Sequence, residues 1–122
     1  MPAITAQALK KLQQFAGSEF IRIACDSSQV ILTFDAGEIV VETSVEVESR
    51  ESNTSLGTIS PATFPKLDLT CLFGEEVEYI EFDGENLMIH LPQVVFKIPI
   101  AGDGYESISI FFSDPGTRSL FF

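Results

Sequence analysis

Imidazole, indole and thiol groups are scarce in this sequence. Its 122 residues include one His, two Cys, two Tyr and no Trp. The GxSxG, HExxH, P-loop and GxGxxG motifs are missing, and a histidine-activated nucleophile would have to use His90. His90 alternates with the apolar residues Leu87, Ile89 and Leu91, so we expect an ordinary surface or rim histidine, with a catalytic or ligand role as the alternative. We expect no enzyme, no catalytic residue, no cofactor and no metal site.

Long apolar runs are also missing. No stretch approaches the ~20 apolar residues that a membrane-spanning helix needs. Residues 1–15 have neither a basic start followed by an apolar run nor a cleavage site, so a cytoplasmic protein is expected. Cys25 and Cys71 show no CxxC spacing and have no His cluster beside them. In a reducing compartment, two buried free thiols are favoured over a disulfide.

Positive charge is in short supply. The 18 Asp and Glu outnumber the 7 Lys and Arg, which gives a formal net charge of -11. This charge repels phosphate backbones and anionic lipid surfaces, and it speeds encounter with a cationic partner. Solubility alone is the other explanation of the charge. The acidic run from Glu75 to Glu85 lacks the residue order of a calcium loop and is predicted to be a solvated edge.

What the chain has in quantity is apolar residues, in a pattern that occurs twice. Hydrophobic residues make up 45% of it, including 11 Phe, which is enough for the core of one domain. The chain aligns with itself without gaps at an offset of 57 residues, in copies at about 12–48 and 69–112. A loop at 49–66, rich in Ser, Thr, Asn and Pro, is predicted to join them as a functional or mobile segment. The paired apolar positions include Leu12 and Leu69, Ile23 and Ile80, Leu32 and Ile89, and Val41 and Ile98.

Each copy is predicted to contain a short helical or turn segment, a glycine and three strands. Ile4, Ala8, Leu12 and Phe15 recur at helical spacing, which predicts a helix over 5–16 in the first copy. Strands are predicted over 19–25, 29–34, 38–48, 86–91, 94–100 and 105–112, and the apolar tail that follows is expected to be docked. About seven strands and one helix predict a mainly β (α+β) fold, either a β-sandwich or a half-open barrel, with an internal pseudo-two-fold repeat.

One predicted strand carries a row of carboxylates. Over 38–48, apolar residues at odd positions alternate with positions that include Glu42, Glu46 and Glu48, so one face is expected to be wet. Alternate residues on a strand advance by roughly 7 Å, and the adjoining loop adds Glu51. We predict that these four glutamates bind a protein partner.

A series of residues in the second half of the chain resembles a pattern known from other proteins. The series is Leu69, Leu72, Phe73, Gly74 and Val77, an Asp83-Gly84 turn, and then Gly104, Tyr105, Glu106 and Ser107. It resembles a bacterial family of small, duplicated β-hairpin proteins that includes immunity proteins of polymorphic or contact-dependent toxin systems. The family pattern has Trp where this chain has Ile108, and a second Asp-Gly turn where it has Pro92 and Gln93. The resemblance implies no catalytic residues and tight blockade of one toxin domain.

Charge, pattern and resemblance support three functional hypotheses. The first is an immunity-type inhibitor that binds and neutralises a cationic toxin domain, with a nuclease as the expected toxin. The second is an acidic nucleic-acid mimic of phage or mobile-element origin. The third is an assembly module that forms a homo-oligomer through exposed strands and the tail from Leu120 to Phe122. We expect no direct contact with nucleic acid or membrane, and an enzyme ranks last.

Overall fold

Ten strands and one α-helix make up the part of the chain that the structure, a computed structural model, describes: residues 4–63, 67–100 and 107–122. Helix α1 covers Ala6–Leu12, and short 3-10 turns follow at Gln13–Phe15 and Thr70–Leu72. The strands are β1 (Phe20–Cys25), β2 (Val30–Phe34), β3 (Gly37–Val41), β4 (Val45–Ser49), β5 (Ser55–Ile59), β6 (Tyr79–Phe82), β7 (Asn86–His90), β8 (Val94–Pro99), β9 (Ile108–Phe112) and β10 (Leu120–Phe121). The predicted mainly β fold is confirmed, with ten strands in place of about seven.

The strands form two five-stranded antiparallel sheets. Sheet one has the order β1-β2-β3-β9-β10, and sheet two has the order β5-β4-β8-β7-β6. Each half of the chain therefore gives three consecutive strands to one sheet and two strands to the other. Neither sheet closes on itself, so the chain forms a sandwich and not a barrel.

One apolar core fills the space between the sheets. Phe20 of sheet one packs on Phe96 of sheet two, with ring centroids 5.1 Å apart, and both side chains are fully buried. Phe15, just after α1, meets Phe34 edge to face at 5.6 Å and connects the helical segment to the same core. Of the eight paired apolar positions named above, Ile23 is only half-buried; the seven that are buried are Leu12, Leu32, Val41, Leu69, Ile80, Ile89 and Ile98.

Helix α1 is shorter than the predicted helix over 5–16. Thr5 caps it as a hydroxyl N-cap should, because its Oγ1 accepts a hydrogen bond from Ala8 N at 3.1 Å. The α-helical turns end at Leu12, and a 3-10 turn carries the chain to Phe15. Gly17 then takes a φ of +84°, a conformation that is strained for residues with a side chain, and leads into β1.

The predicted strand over 38–48 is wrong as a single strand. It consists of β3 and β4, which lie in different sheets, and the chain crosses between them at residues 42–44. Val41 and Val45 flank the crossing and are both fully buried. The two valines are four residues apart, which is an even number, so apolar and polar residues keep alternating across the crossing. The sequence pattern therefore does not show that the chain changes sheets there.

The predicted loop over 49–66 is also corrected, because it contains β5. This strand pairs with β4 in a hairpin and forms an edge of sheet two. Only Ile59 of β5 is buried, and the rest of the strand is exposed or half-buried. A strand with one buried residue shows almost no apolar periodicity, which is why the segment resembles a loop in the sequence. Residues 64–66 of the predicted loop lie outside the described residues.

The C-terminal tail is docked, as expected. Leu120–Phe121 forms β10 against β9, and Phe122 is buried. The backbone N of Phe122 donates to Ile108 O at 2.8 Å, and Ile108 N returns a hydrogen bond at 2.9 Å. The last predicted strand, over 105–112, begins at Ile108, and its residues 105 and 106 lie outside the described part. Within that part, no helix has both the length and the apolar character needed to cross a membrane.

Candidate interaction surfaces

The four predicted partner-binding glutamates do not form one row. Glu46 and Glu48 lie on β4, on the outer face of sheet two. Glu42 lies at the crossing between the sheets, where its backbone N donates to Ser107 O at 2.9 Å. Glu51 is exposed in the β4–β5 hairpin. The structure thus aligns two of the four carboxylates and separates the others, since β3 and β4 are not continuous.

Cross-strand pairing places Glu46 and Glu48 in two rows across sheet two. The first row runs from Thr58 through Glu46, Lys97 and Met88 to Glu81, and the second from Glu48 through Val95 and His90 to Tyr79. Lys97 Nζ lies 3.3 Å from Glu48 Oε2, so the one lysine on this face is paired with one of its glutamates. The remaining charge on the face is negative. We call these two rows, from Thr58 to Glu81 and from Glu48 to Tyr79, the sheet-two face.

His90 lies on the sheet-two face but is not the surface or rim residue that the sequence suggested. It is only 9% exposed, because its ring stacks on Tyr79 with centroids 4.1 Å apart and an interplanar angle of 15°. Its Nε2 lies 2.6 Å from Glu81 Oε1. Its Nδ1 is buried and has no hydrogen-bond partner among the described residues. Cross-strand neighbours therefore cover a side chain that points away from the core.

The edge of sheet two at β6 holds the densest group of carboxylates. Glu75, Glu76 and Glu78 precede β6, and Glu81 lies on it. Arg50 joins this edge to the β4–β5 hairpin, since its Nη1 donates to Glu78 Oε1 at 2.5 Å and to Leu91 O at 2.9 Å. The hydrogen bond to Glu78 raises the pKa of Arg50 above its usual value, which is the shift expected for a cation paired with a carboxylate.

Glu75 has a more enclosed carboxylate than its neighbours. Its Oε2 accepts a hydrogen bond from Gln93 Nε2 at 2.5 Å, while its Oε1 is buried without a partner. The contact ties the segment before β6 to the turn between β7 and β8. The predicted solvated edge therefore includes one carboxylate with a structural contact, whereas its exposed members are Glu76, Glu78, Asp83 and Glu85.

A groove of about 510 Å³ separates the β4–β5 hairpin from the β7–β8 turn and the 3-10 turn at Thr70–Leu72. Glu51, Leu56, Cys71 and Gln93 are among the side chains that line it. Arg50 also lines the groove, and its Nη1 donates to Glu78 and to the Leu91 carbonyl. The groove therefore offers apolar side chains, the carboxylates of Glu51 and Asp68, and a guanidinium that is already paired with Glu78.

The two cysteines are free, and neither is fully buried. Cys25 is half-buried, with its thiol donating to Ser60 O at 3.0 Å, and Cys71 is exposed. The expected burial is therefore wrong for Cys71, whose side chain is exposed in the 3-10 turn at Thr70–Leu72, and it holds only in part for Cys25. Across residues 4–63, 67–100 and 107–122, no three His, Cys, Asp or Glu side chains come together as metal ligands.

Comparison with protein-family models, with curated proteins and with solved structures finds no match to this chain.

Proposed function

We propose that this chain is a protein-binding module that recognises a cationic protein surface, as an immunity-type inhibitor does when it covers a basic toxin domain. The observation that carries the proposal is the unequal distribution of charge between the two sheets. Residues 45–59 and 74–99, which contain sheet two, have nine acidic and two basic side chains. Residues 20–41 and 107–122, which contain sheet one, have four acidic and two basic side chains.

Both basic groups of sheet two are already paired inside the protein. Arg50 is bound to Glu78, and Lys97 to Glu48. Two cations offset at most two of the nine acidic side chains, so these residues keep a net charge of -7. The field outside the sheet-two face and its β6 edge is therefore negative, and it attracts a cationic partner and guides its approach.

The shape of this surface suits a protein partner. The sheet-two face is built on regular strands, so its side chains are held at fixed spacing by the cross-strand pairing of Glu46 with Lys97 and of Glu48 with Val95. Exposed Tyr79, stacked on buried His90, adds an aromatic group beside the carboxylates. Aromatic side chains with charged neighbours are common at protein interfaces. A basic nuclease toxin fits this chemistry, because the cleft that binds phosphates is cationic.

The alternative of a nucleic-acid mimic receives less support from the geometry. Such a mimic would present carboxylates at even spacing along a strand, and β4 presents only Glu46 and Glu48 in line. Lys97 neutralises the second of them at 3.3 Å. The immunity-type proposal requires a negative surface with fixed side chains and does not require an even row.

The test is co-expression of this chain with the product of the adjacent upstream reading frame. We expect that product to contain a basic domain that stops growth, and we expect this chain to restore growth and to co-purify with it. The same assay is repeated with Glu46→Lys, which should restore growth less well. A toxic product that this chain binds neither in cells nor after purification contradicts the proposal, as does a neighbour without toxicity.

A further inference from the structure

The outer face of sheet one differs in character from that of sheet two. Cross-strand pairing places two rows on it, and together they are called the sheet-one face: Ala24, Ile31, Val40, Ser109 and Phe121 in one row, and Arg22, Thr33, Glu38 and Phe111 in the other. The first row contains no charged residue. Apolar side chains thus cover much of a sheet surface that has no other layer of this chain among the described residues on top of it.

Two phenylalanines make this face unusual for a surface in water. Phe111 is 41% exposed and Phe121 is 51% exposed. Their rings contact each other edge to face, with centroids 6.1 Å apart. Ile31 and Val40 continue the apolar surface on β2 and β3 and are half-buried by their neighbours. Exposed aromatic side chains that lie together beside further apolar residues are typical of interaction sites.

The sheet-one face is also electrically balanced. Its two charged groups are Arg22 and Glu38, with Arg22 Nη2 and Glu38 Oε2 3.9 Å apart. The chain as a whole carries -11, so two copies repel each other over most of their surfaces. Contact through a face whose own charges cancel minimises this repulsion. That balance favours a second copy of this chain as the occupant, whereas a cationic partner is attracted to sheet two.

The area of the sheet-one face determines how strongly two copies can be expected to associate through it. Four of the five strands have five or six residues and β10 has two, so a strand spacing of about 4.8 Å and a rise of about 3.3 Å per residue give a footprint of roughly 350 Å². A standard stable interface buries about 800 Å² on each partner. Contact through this face is therefore expected to be weak and to depend on protein concentration.

We propose that two copies of this chain associate face to face through the sheet-one face, as an isologous dimer. The two-fold arrangement lets the same apolar rows cover each other, with the sheets about 10 Å apart as in other sheet packings. The sheet-two face of each copy points away from the contact. The dimer would therefore present two acidic faces, and its formation does not depend on the function proposed for them.

Sedimentation equilibrium of the purified chain, from about 5 µM to about 1 mM, tests the proposal. We expect a monomer–dimer equilibrium with a Kd between about 10 µM and 1 mM. We also expect tighter association at 0.5 M than at 0.05 M salt, because salt screens the repulsion between two acidic copies. This salt dependence is opposite in sign to that of binding to a cationic partner, so failure of one proposal is distinguishable from failure of the other.

Matched substitutions locate the contact. Phe121→Ser should raise the dimer Kd at least tenfold, whereas Leu56→Ser, a change at a similarly exposed residue on β5, should leave it unchanged. Arg22→Glu gives the face a net negative charge and should also weaken the dimer. Lys97→Glu changes the total charge by the same amount on sheet two and should weaken it less. Thermal unfolding of each variant checks that it is folded.

Two outcomes overturn the proposal. One is a chain that stays monomeric at about 1 mM in 0.5 M salt, which leaves the face to a different partner. The other is a dimer that Leu56→Ser weakens as much as Phe121→Ser does, with all variants folded, because the contact then lies elsewhere. Arg22 is largely exposed, so its variant keeps the test valid even if Phe121→Ser disturbs β10.

Discussion

Glu19 and Glu76, which are 57 positions apart, pair with each other through an antiparallel backbone bridge. Four backbone hydrogen bonds lie around it, from Gly17 N to Val77 O (2.7 Å), Gly74 N to Phe20 O (2.8 Å), Phe20 N to Glu75 O (2.8 Å) and Val77 N to Ser18 O (2.9 Å). Adding 57 to the residue number from the first half and subtracting 57 from that of the second half turns the first bond into the second and the third into the fourth. The offset that aligns the two halves in sequence therefore also relates their contacts at this point. Common descent of the halves stays a prediction.

The first prediction concerns equivalent core positions. Leu32→Ala and Ile89→Ala should each lower the free energy of unfolding by about 2–4 kcal/mol, because each removes a fully buried side chain. Ile23→Ala should cost less than Ile80→Ala, since Ile23 is only half-buried. Urea unfolding followed by circular dichroism measures all four. Equal losses at Ile23 and Ile80 would contradict the packing difference between the two halves.

Gly37 provides the second prediction, at the start of β3. A Cβ built on it would lie 2.0 Å from the backbone oxygen of Phe111 on β9. Its φ of +152° adds strain for any residue with a side chain. Gly37→Ala should therefore separate β3 from β9, which is the contact that joins the two halves of the chain within sheet one.

Gly74→Ala is the matched control for Gly37→Ala. Gly74 has a φ of +93°, but a Cβ there meets no atom within 4 Å. The control should lose roughly 1–3 kcal/mol from backbone strain alone, and Gly37→Ala should lose more. The midpoint of thermal unfolding ranks the two. A smaller loss for Gly37→Ala would show that β9 can move aside without cost.

The third prediction is a pH dependence of stability that arises in the turns. Asp83 Oδ1 accepts hydrogen bonds from the backbone N of Asn86 at 2.6 Å and of Glu85 at 2.8 Å. These bonds hold the pKa of Asp83 below its usual 3.8. Asp26 makes the equivalent turn 57 positions earlier, and backbone bonds lower its pKa in the same way.

A carboxylate whose pKa is lower in the folded state than in the unfolded state stabilises the fold at pH values above its unfolded-state pKa. This stabilisation is lost as the pH falls through its folded-state pKa. Unfolding free energy should therefore decline below about pH 4. Asp83→Asn, which cannot ionise, should be less stable than the parent at pH 7, and the difference should shrink at pH 3. Urea unfolding at both pH values measures this. A difference that is the same at pH 7 and pH 3 would exclude the carboxylate charge as its source.

His90 is the subject of the fourth prediction. The sequence predicts that His90→Gln leaves stability and partner binding almost unchanged, and the structure modifies the part about stability. Gln can still donate to Glu81, but it cannot stack on Tyr79, so a loss of about 1 kcal/mol is expected. Chemical denaturation gives the value, and Tyr79→Leu serves as the control because it removes the same stacking. An additive loss in the double variant would contradict a direct contact between the two rings.

The predictable parts of the fold are those in which burial leaves a local signal. Thr5 and Gly17 flank the helical segment, and a hydroxyl residue before a helix and a glycine after it are residue types that favour such ends. Strands β2 and β7 each bury alternate apolar residues, so their period of two is clear. What could not be predicted depends on neighbours far along the chain. His90 is buried by Tyr79 on β6, and no local pattern records that contact.

The candidate site shows the same limit. The sequence identifies Glu46 and Glu48 as outward-facing residues of a strand, and they are. It places Glu42 beside them because the alternation continues through the corner after Val41, where the chain leaves sheet one. It also gives no sign that Lys97 pairs with Glu48, since that contact joins residues 49 positions apart. A sequence shows which residues are charged, but only the strand topology shows which of these residues lie on the same surface.

The last prediction concerns the sheet-two face and uses Glu46 and Asp35. Glu46 lies on β4 of the face, opposite Lys97 on the central strand, whereas Asp35 is exposed in the turn between β2 and β3 of sheet one. Glu46→Lys and Asp35→Lys change the total charge equally. If the sheet-two face binds a cationic toxin domain, Glu46→Lys should slow association at least tenfold at low salt, and Asp35→Lys should slow it much less. Stopped-flow mixing at 0.02 M and 0.3 M salt separates the two effects. Equal slowing by both variants would reduce the interaction to general attraction by net charge, and no slowing by either would exclude this acidic surface from the contact.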